Sequence, residues 1–380
     1  MSLPNHSSLQ IFVISASEGN DAYVQKLLTS LQRRGYTVTL VGWDRYRRLP
    51  PRFTSEGAEY RMIFRGWGYA NRWLMLGLPL WAFRIFRFLL RQRPDLLIAI
   101  DFDTGIAAAL AQLITHAPFI YDIRDNFDMR PTLPSILRPV IAKLDQWVIA
   151  RAARVLVPDE NRIVVSDEHM RCKFTVIANC APEIQPPSDQ SKDRPFTIYA
   201  SGYLLELRGI HLLLEAARRI PDVRVLMAGQ VLEADLEEQM RQTPNVDFRG
   251  WLAPEEALRL NFEADVIFSF YDPASEINRR AVSTKWSDAM MASEPVLVNS
   301  EVLKSAWIQQ QDIGYLCPYG DVDQLVQVIK HIRQHPEEAR RKGESGRRVY
   351  DTGYNWSAME QRLWHLLDEV SQSRFVGRKR

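Results

Sequence analysis

Cysteine is scarce: three in 380 residues, Cys172, Cys180 and Cys317, with no C-x-x-C spacing. An odd, scattered set excludes a disulfide framework and a structural zinc site, and suits a reducing compartment. An excess of one charge is lacking too. Lys plus Arg number 48 and Asp plus Glu 46, a net +2, so the overall balance does not argue for nucleic acid. Long apolar runs are missing. The longest, Trp73–Leu90, contains Gly77, Pro79, Arg84 and Arg87 and falls short of the ~20 apolar residues of a spanning helix. Residues 1–8 are polar, without the apolar core of a signal peptide, and are expected to be a disordered tail. What is left is ordinary globular composition, 46% hydrophobic and 25% charged, at a length that suits two domains.

The chain alternates short apolar runs with amphipathic helices. Ile11–Ser15 is a buried strand, followed by a polar turn containing Gly19. A helix carries Val24, Leu27, Leu28 and Leu31 on one face, and Tyr36–Gly42 is the next strand. That order builds parallel, doubly wound sheets, which bind ligands at the carboxyl ends of their strands. Gly19 in the first such loop is a phosphate-loop candidate. Phe119–Tyr121 is another strand, ending in Asp122-Ile123-Arg124-Asp125. Charges crowded there point to chemistry, or to a turn whose charges pair with one another. Residues 185–195, polar and Pro-bearing, form the expected linker between a domain over 9–184 and a second over 196–352.

Tyr60–Arg93 holds seven arginines, no acid and no lysine, interleaved with Phe and Trp. Arg84, Arg87 and Arg91 share one helical face, and Trp81 lies about one turn ahead of them in sequence. A basic, aromatic, amphipathic segment that does not span is expected to lie on an anionic membrane surface. The alternative is a core-packed helix with a solvated basic face. No RNA- or DNA-binding motif accompanies it, so nucleic acid is not an expected partner.

Ser283–Val298 reads as a polar turn, a short helix, a break at Pro295 and a buried strand. Lys285 and Asp288, at i and i+3, share a face. A cation at a helix N-terminus suits a phosphate, and a nearby carboxylate suits ribose hydroxyls. An ordinary surface ion pair is the other possibility.

With these residues in order, the chain resembles the family 4 nucleotide-sugar glycosyltransferases of the GT-B fold, from about Leu9 to about Val370. Gly202-Tyr203-Leu204-Leu205-Glu206-Leu207-Arg208-Gly209 is similar to the family's G-R-L-x-x-x-K-G, and Val246–Leu252 to V-x-F-x-G-x-L. Lys285–Pro295 matches K-L-F-E-Y-M-A-A-G-K-P in register. Pro118–Asp125 resembles the V-Y-D-x-R-D of enzymes that build surface polysaccharides, Asn179-Cys180 the exit from the first domain, and Asn355-Trp356 the start of the last helix.

The resemblance implies two Rossmann-like domains facing a cleft, with a helix over 353–372 crossing back to the first domain and a basic tail over 373–380. The first domain takes the acceptor, a glycan or lipid-linked molecule. The second takes a nucleotide-diphosphate sugar, which is substrate rather than cofactor; no cofactor or metal is implied. Donor-binding residues by resemblance are Gly202, Tyr203, Arg208, Arg249, Gly250, Thr284, Lys285 and Asp288; Gly19 joins them from its loop, and Arg280 as a candidate replacement charge. The catalytic set is Asp122, Arg124, Asp125, Arg208 and Lys285. Retention of configuration is expected; for inversion, one of the aspartates would be the base. The expected place is the cytoplasm, peripheral to the inner face of the plasma membrane. The chain departs from the family's pattern in four places: Tyr203 replaces an Arg, Asp288 a Glu, Arg280 the first acid of E-x7-E, and Ser293-Glu294 a Gly-Lys. Arg279-Arg280 are candidates for the missing positive charge. A catalytically degenerate scaffold that binds a nucleotide within a polysaccharide assembly complex is the alternative. A sugar-nucleotide epimerase on the same fold is a third possibility.

Overall fold

The computed structural model describes residues 9–19, 21–68, 74–130, 133–187 and 194–377, the side chains of 74–76 and 373–377 excepted. The chain divides into two compact units. Unit 1 comprises the residues up to Ala178 together with Glu360 onward, and unit 2 is Asn179–Met359.

In unit 1 the elements run β1 (Gln10–Ile14), α1 (Ala22–Arg33), β2 (Thr37–Asp44), β3 (Arg52–Ser55), β4 (Ala58–Arg65), α2 (Leu74–Gln92), β5 (Leu96–Ile100), α3 (Phe102–Thr115), β6 (Phe119–Asp122), α4 (Arg138–Arg151), β7 (Arg154–Val157), α5 (Glu168–Arg171) and β8 (Phe174–Val176). The sheet order is β3-β4-β2-β1-β5-β6-β7-β8, parallel except for the β3–β4 hairpin. From β1 the chain winds one way to β2 and β4, then returns to β5 and winds the other way. Right-handed crossovers therefore place α1 on one face and α2, α3 and α4 on the other. They also make the β1/β5 junction the switch point where the loops diverge and a crevice opens. Phe12, Ile14, Trp43, Phe64 and Trp81 pack between the sheet and the α2–α4 layer; each such side chain, fully buried, stabilises by roughly 1.5–3 kcal/mol.

Unit 2 runs β9 (Thr197–Leu204), α6 (Ile210–Arg219), β10 (Arg224–Val231), α7 (Ala234–Gln242), β11 (Val246–Phe248), α8 (Pro254–Arg259), β12 (Val266–Ser269), α9 (Glu276–Arg279), α10 (Thr284–Ala292), β13 (Val296–Asn299), α11 (Ser305–Gln310), β14 (Gly314–Cys317), α12 (Val322–Gln334) and α13 (Pro336–Asp351). Its all-parallel order, β11-β10-β9-β12-β13-β14, puts the switch point between β9 and β12. The last helix, α14 (Trp356–Gly377), begins in unit 2 and from Glu360 onward belongs to unit 1. There the Trp364 indole donates to Ser30 O of α1 at 2.9 Å, and Asp368 pairs with Arg34 at 2.7 Å.

Three expectations are corrected. The division between units falls at Ala178/Asn179, ahead of the expected linker at 185–195. The segment after Asn179 is sewn into unit 2 instead: Ala181 N–H donates to Ser287 Oγ at 2.9 Å, and its carbonyl accepts from the Tyr350 hydroxyl at 3.2 Å. Polar, Pro-bearing composition marks a loop, and this loop lies inside a unit. Residues 188–193 of the expected linker lie outside the described residues.

The Tyr60–Arg93 stretch is not one surface segment. Its first residues are β4, where Arg61 pairs with Glu59 and Arg65 with Asp44, each at 3.0 Å. The hairpin turn Glu56-Gly57 has positive φ at both residues, the two-residue geometry that matches strand twist. Tyr69, Arg72 and Trp73 lie outside the described residues. Trp81, expected at a membrane surface, is 0% exposed, and its indole donates to Asp103 Oδ2 at 3.0 Å. An amphipathic helix buries its largest aromatic in the core and leaves Arg84, Arg87 and Arg91 outside.

The expected basic tail at 373–380 is helical as far as Gly377. Residues 1–8 and 378–380 lie outside the described residues.

Candidate functional site

In unit 2, the functional side chains gather at the β9/β12 switch point. Gly202 sits near the end of β9 with φ +99°, and a Cβ there would come within 3.7 Å of Lys285 Cε. Its neighbour across the ladder, Gly229, has no room for any side chain, since a Cβ would lie 1.9 Å from Gly202 O. The two strands thus approach closely beneath an open carboxyl edge.

Lys285 stands in the first turn of α10, whose N-cap Ser283 accepts the Lys285 N–H at 3.2 Å. Thr284 opens that helix. Lys285 Nζ donates to Asp288 Oδ2 at 2.7 Å. The i,i+3 ion pair and the inward-facing cation are therefore one arrangement. Asp288 is 7% exposed, held where a short acid can present a single oxygen.

Arg208 lies in the turn after β9. Its guanidinium covers the Tyr271 ring at 4.0 Å, and its Nη1 is buried without a hydrogen-bond partner. Stacking leaves the planar fork pre-organised with donors to spare, the geometry that suits a phosphate. Tyr271 is itself fixed. Its N–H donates to Asn299 Oδ1 at 2.8 Å, and Asn299 Nδ2 returns a bond to Tyr271 O at 3.1 Å. Sequence reasoning missed both. An Asn closing β13 beside the β12 exit was the available signal.

The rest of the expected donor set is placed less uniformly. Tyr203 is 58% exposed at the strand end. Gly250 meets β10 through Gly229 N–H to Gly250 O at 2.8 Å. Arg249 is paired to Asp247 at 2.7 Å. Arg279 and Arg280 both pair with Glu276, Arg280 at 2.9 Å, so the expected surplus of positive charge there is offset by a carboxylate. Gly19 lies in unit 1, where a Cβ would come 2.3 Å from Leu40 Cδ2; its φ of +83° and tight packing give it a structural reason to be glycine.

In unit 1, the β1/β5 switch point collects carboxylates. Tyr23 on α1 donates its hydroxyl to Asp122 Oδ2 at 2.7 Å. Burial pushes the Asp122 carboxyl up to about 7, opposed by that hydrogen bond and by Arg124. At 2% exposure Asp122 faces the interior. Arg124 donates to Asp21, the N-cap of α1, at 3.1 Å and lies over the Tyr23 ring at 4.7 Å. Burial disfavours its charge, but Asp21, Asp101 and Asp122 outweigh that and raise its pKa. Asp125 is the open member, its side chain 46% exposed and paired to Arg162 at 3.0 Å.

Asp101, to which the sequence reading gave no role, organises this cluster. It sits at φ +65° and ψ 168°, a conformation that costs an ordinary residue ~1–3 kcal/mol. Its carboxylate accepts the N–H of Arg124 at 3.1 Å and of Asp125 at 3.4 Å, and the Arg130 guanidinium at 3.3 Å. Burial raises its pKa, with Arg130 opposing. Arg162 was also missed. It is 6% exposed, with Nη1 buried and unpartnered, and nothing in local sequence marks it. Among the described residues no group of three His, Cys, Asp or Glu is arranged to hold a metal ion.

The geometry can be set beside known proteins. A glycosyl transferase 4-like domain model matches residues 18–161, and a glycosyl transferase-like model matches 208–365. An O-antigen chain mannosyltransferase C from Escherichia coli is 27% identical over 171 residues, 44% of this chain and 45% of that protein; the match thus spans about half the length of that curated relative. Among solved structures, a sucrose-phosphate synthase from Thermosynechococcus elongatus superposes with a TM-score of 0.76 at 17% identity, over 96% of this chain and 100% of that one. HepE from Anabaena, in complex with UDP-glucose, gives 0.69 at 15% identity over 95% and 100%. Two doubly wound units and two tandem domain matches agree: the chain belongs to the family 4-like glycosyltransferases of the GT-B fold.

Proposed function

We propose that the chain transfers a sugar from a nucleotide-diphosphate donor to a hydroxyl of a glycan or lipid-linked acceptor, in the cytoplasm, during polysaccharide or glycoconjugate synthesis. Unit 2 holds the donor and unit 1 the acceptor. The observation that carries this reading is the pairing, at one switch point, of Arg208 with spare donors and of Lys285 beside a buried carboxylate, Asp288. The donor's glycosidic C–O bond breaks as negative charge grows on the departing diphosphate. Arg208, Lys285 and the N-terminus of α10 stabilise that charge without needing a metal. Asp288 accepts from the ribose hydroxyls. The relatives support the donor class: HepE was solved with UDP-glucose, and the curated relative is named as a mannosyltransferase.

On the acceptor side, Arg124 and Asp125 are the residues that reach a substrate. Asp122, buried beneath Tyr23, acts through them by holding the turn. For transfer with retention the acceptor's proton passes to the departing diphosphate. Were the reaction inverting, the exposed Asp125 is the base. The degenerate-scaffold reading draws on Tyr203 and on the paired Arg279 and Arg280, which leave the diphosphate two cations. A thermal-shift panel of nucleotide sugars tests the proposal: a bound donor raises the melting temperature by mass action. A rise for one donor that is lost in Arg208→Ala supports it, and no rise with any donor at millimolar concentration overturns it.

A further inference from the structure

The outer layer of unit 1 carries a surface that glycosyl transfer between two soluble molecules does not require. Sixteen large hydrophobic residues are exposed among the described residues, and nine come from α2, α3 and residues 136–144, at the start of α4. Leu80 and Phe83 stand out from α2, and Leu110, Leu113 and Ile114 from α3; Ile136, at the start of the third group, is 80% exposed. These elements are neighbours on one sheet face. The Trp81–Asp103 bond ties α2 to α3 at 3.0 Å, and the Arg151–Gln112 bond ties α4 to α3 at 3.1 Å. The exposed side chains therefore share one helical layer of unit 1, and exposed apolar side chains gathered on one layer mark interaction surfaces.

Charge identifies the partner. The three helices contain two acids. Asp103 is buried, and Asp145 is half-buried and accepts the Tyr121 hydroxyl at 2.5 Å. The exposed charges of the layer are all positive: Arg84, Arg87, Arg91, Arg138 and Lys143. A second copy docking on this face by two-fold symmetry would set arginine against arginine. No helix among the described residues is long and apolar enough to cross a membrane. Apolar side chains protruding through an acid-free basic field match an anionic phospholipid bilayer, which takes the former at the acyl boundary and attracts the latter at the headgroups.

We propose that the α2–α3–α4 face docks unit 1 on an anionic phospholipid membrane, as a peripheral attachment spread over three helices. It is independent of the donor site, and its test uses no sugar nucleotide.

The experiment is co-sedimentation of the full chain with vesicles of phosphatidylcholine alone and of an equal mixture with phosphatidylglycerol. Binding to the anionic vesicles, weakened by salt, is expected. Arg87→Gln with Arg91→Gln should reduce partitioning roughly 30-fold, at about 1 kcal/mol per basic residue near the surface. Phe83→Ser with Leu113→Ser should reduce it at least about tenfold, since each loses apolar area to bury. Both pairs alter exposed positions, and unchanged circular dichroism and melting temperature verify the fold. Arg362→Glu, exposed on α14 at the opposite face, should bind as the parent does. Three results overturn the proposal: no binding to anionic vesicles, equal binding by both paired variants, or a parent dimer in gel filtration that Phe83→Ser with Leu113→Ser dissolves.

Discussion

The two switch points obey one topological rule and are furnished in opposite ways. At β9/β12 the cations are few, and one has idle donors: Arg208 stacks on Tyr271 with Nη1 unpartnered. At β1/β5 the carboxylates are many and already engaged. Asp122 is bound by Tyr23, Asp21 by Arg124 and the α1 backbone, and Asp101 by two backbone amides and Arg130. A site with spare donors is arranged for a ligand that brings its own charge. A site whose carboxylates are each held by a hydroxyl, a guanidinium or a backbone amide is arranged to hold a shape. The contrast separates Arg208, with donors to spare for a ligand, from carboxylates such as Asp101 and Asp122, which position their neighbours.

The largest expected effect is at the open pole. Arg208→Ala should lower kcat/KM for the donor by about 10²–10³-fold, the range for removing one group that stabilises developing negative charge; steady-state kinetics with varied donor reads it. A loss under tenfold would mean that unit 2 does not depend on its spare donors. Next, Asp288→Ala should weaken donor affinity about 10- to 100-fold, the worth of a hydrogen bond to a charged acceptor. Asp288→Glu should recover most of it in calorimetric titration.

At the closed pole the expected effects are on stability and its pH dependence. Tyr23→Phe leaves Asp122 buried without its partner and should destabilise unit 1 by about 1–3 kcal/mol, read by denaturant unfolding. Asp122 has its pKa raised to about 7 by burial, and Asp103 and Asp145 theirs to about 6, also chiefly by burial. A carboxyl raised above its unfolded value contributes stability that is present below about pH 4 and lost as pH rises through the folded pKa. Thermal stability from these groups should therefore fall between about pH 4 and 7, and Asp122→Asn should flatten that slope. The smallest effect is expected for Arg280→Ala. Its guanidinium is engaged by Glu276 in a partly exposed pair worth ~0–1 kcal/mol, so donor affinity should change less than about fivefold.

The alternation of strands and helices was legible because hydrophobic periodicity is local. The α10 stretch was legible for the same reason: cap, cation, acid and Pro break lie within a dozen residues. Trp81 was misplaced because an amphipathic pattern identifies two faces without saying which large aromatic meets a buried acid on the next helix. The 185–195 linker failed because composition reports a loop and not the unit it belongs to; the Asn179-Cys180 exit lay nearer the true division. Asp101, Asn299 and Arg162 were invisible for one shared reason. Each acts through partners at least twenty residues away, Asp101 on the turn at 124–125, Asn299 on Tyr271 and Arg162 on Asp125, and such contacts exist only once a sheet has brought strand ends together.

The split membership of α14 has a consequence for how the chain is made. Unit 2 is a continuous segment, Asn179–Met359, and has every residue of its fold as soon as Met359 leaves the ribosome. Unit 1 emerges first and is finished last. Until Glu360 onward is synthesised, the Ser30 carbonyl and the Arg34 guanidinium lack Trp364 and Asp368, and the surface of α1 that α14 covers faces water. The first half of the protein must therefore wait, partly uncovered, for roughly 200 residues of synthesis, tens of seconds at typical rates. A chain cut short just after Met359 would yield a complete second unit attached to an incomplete first one.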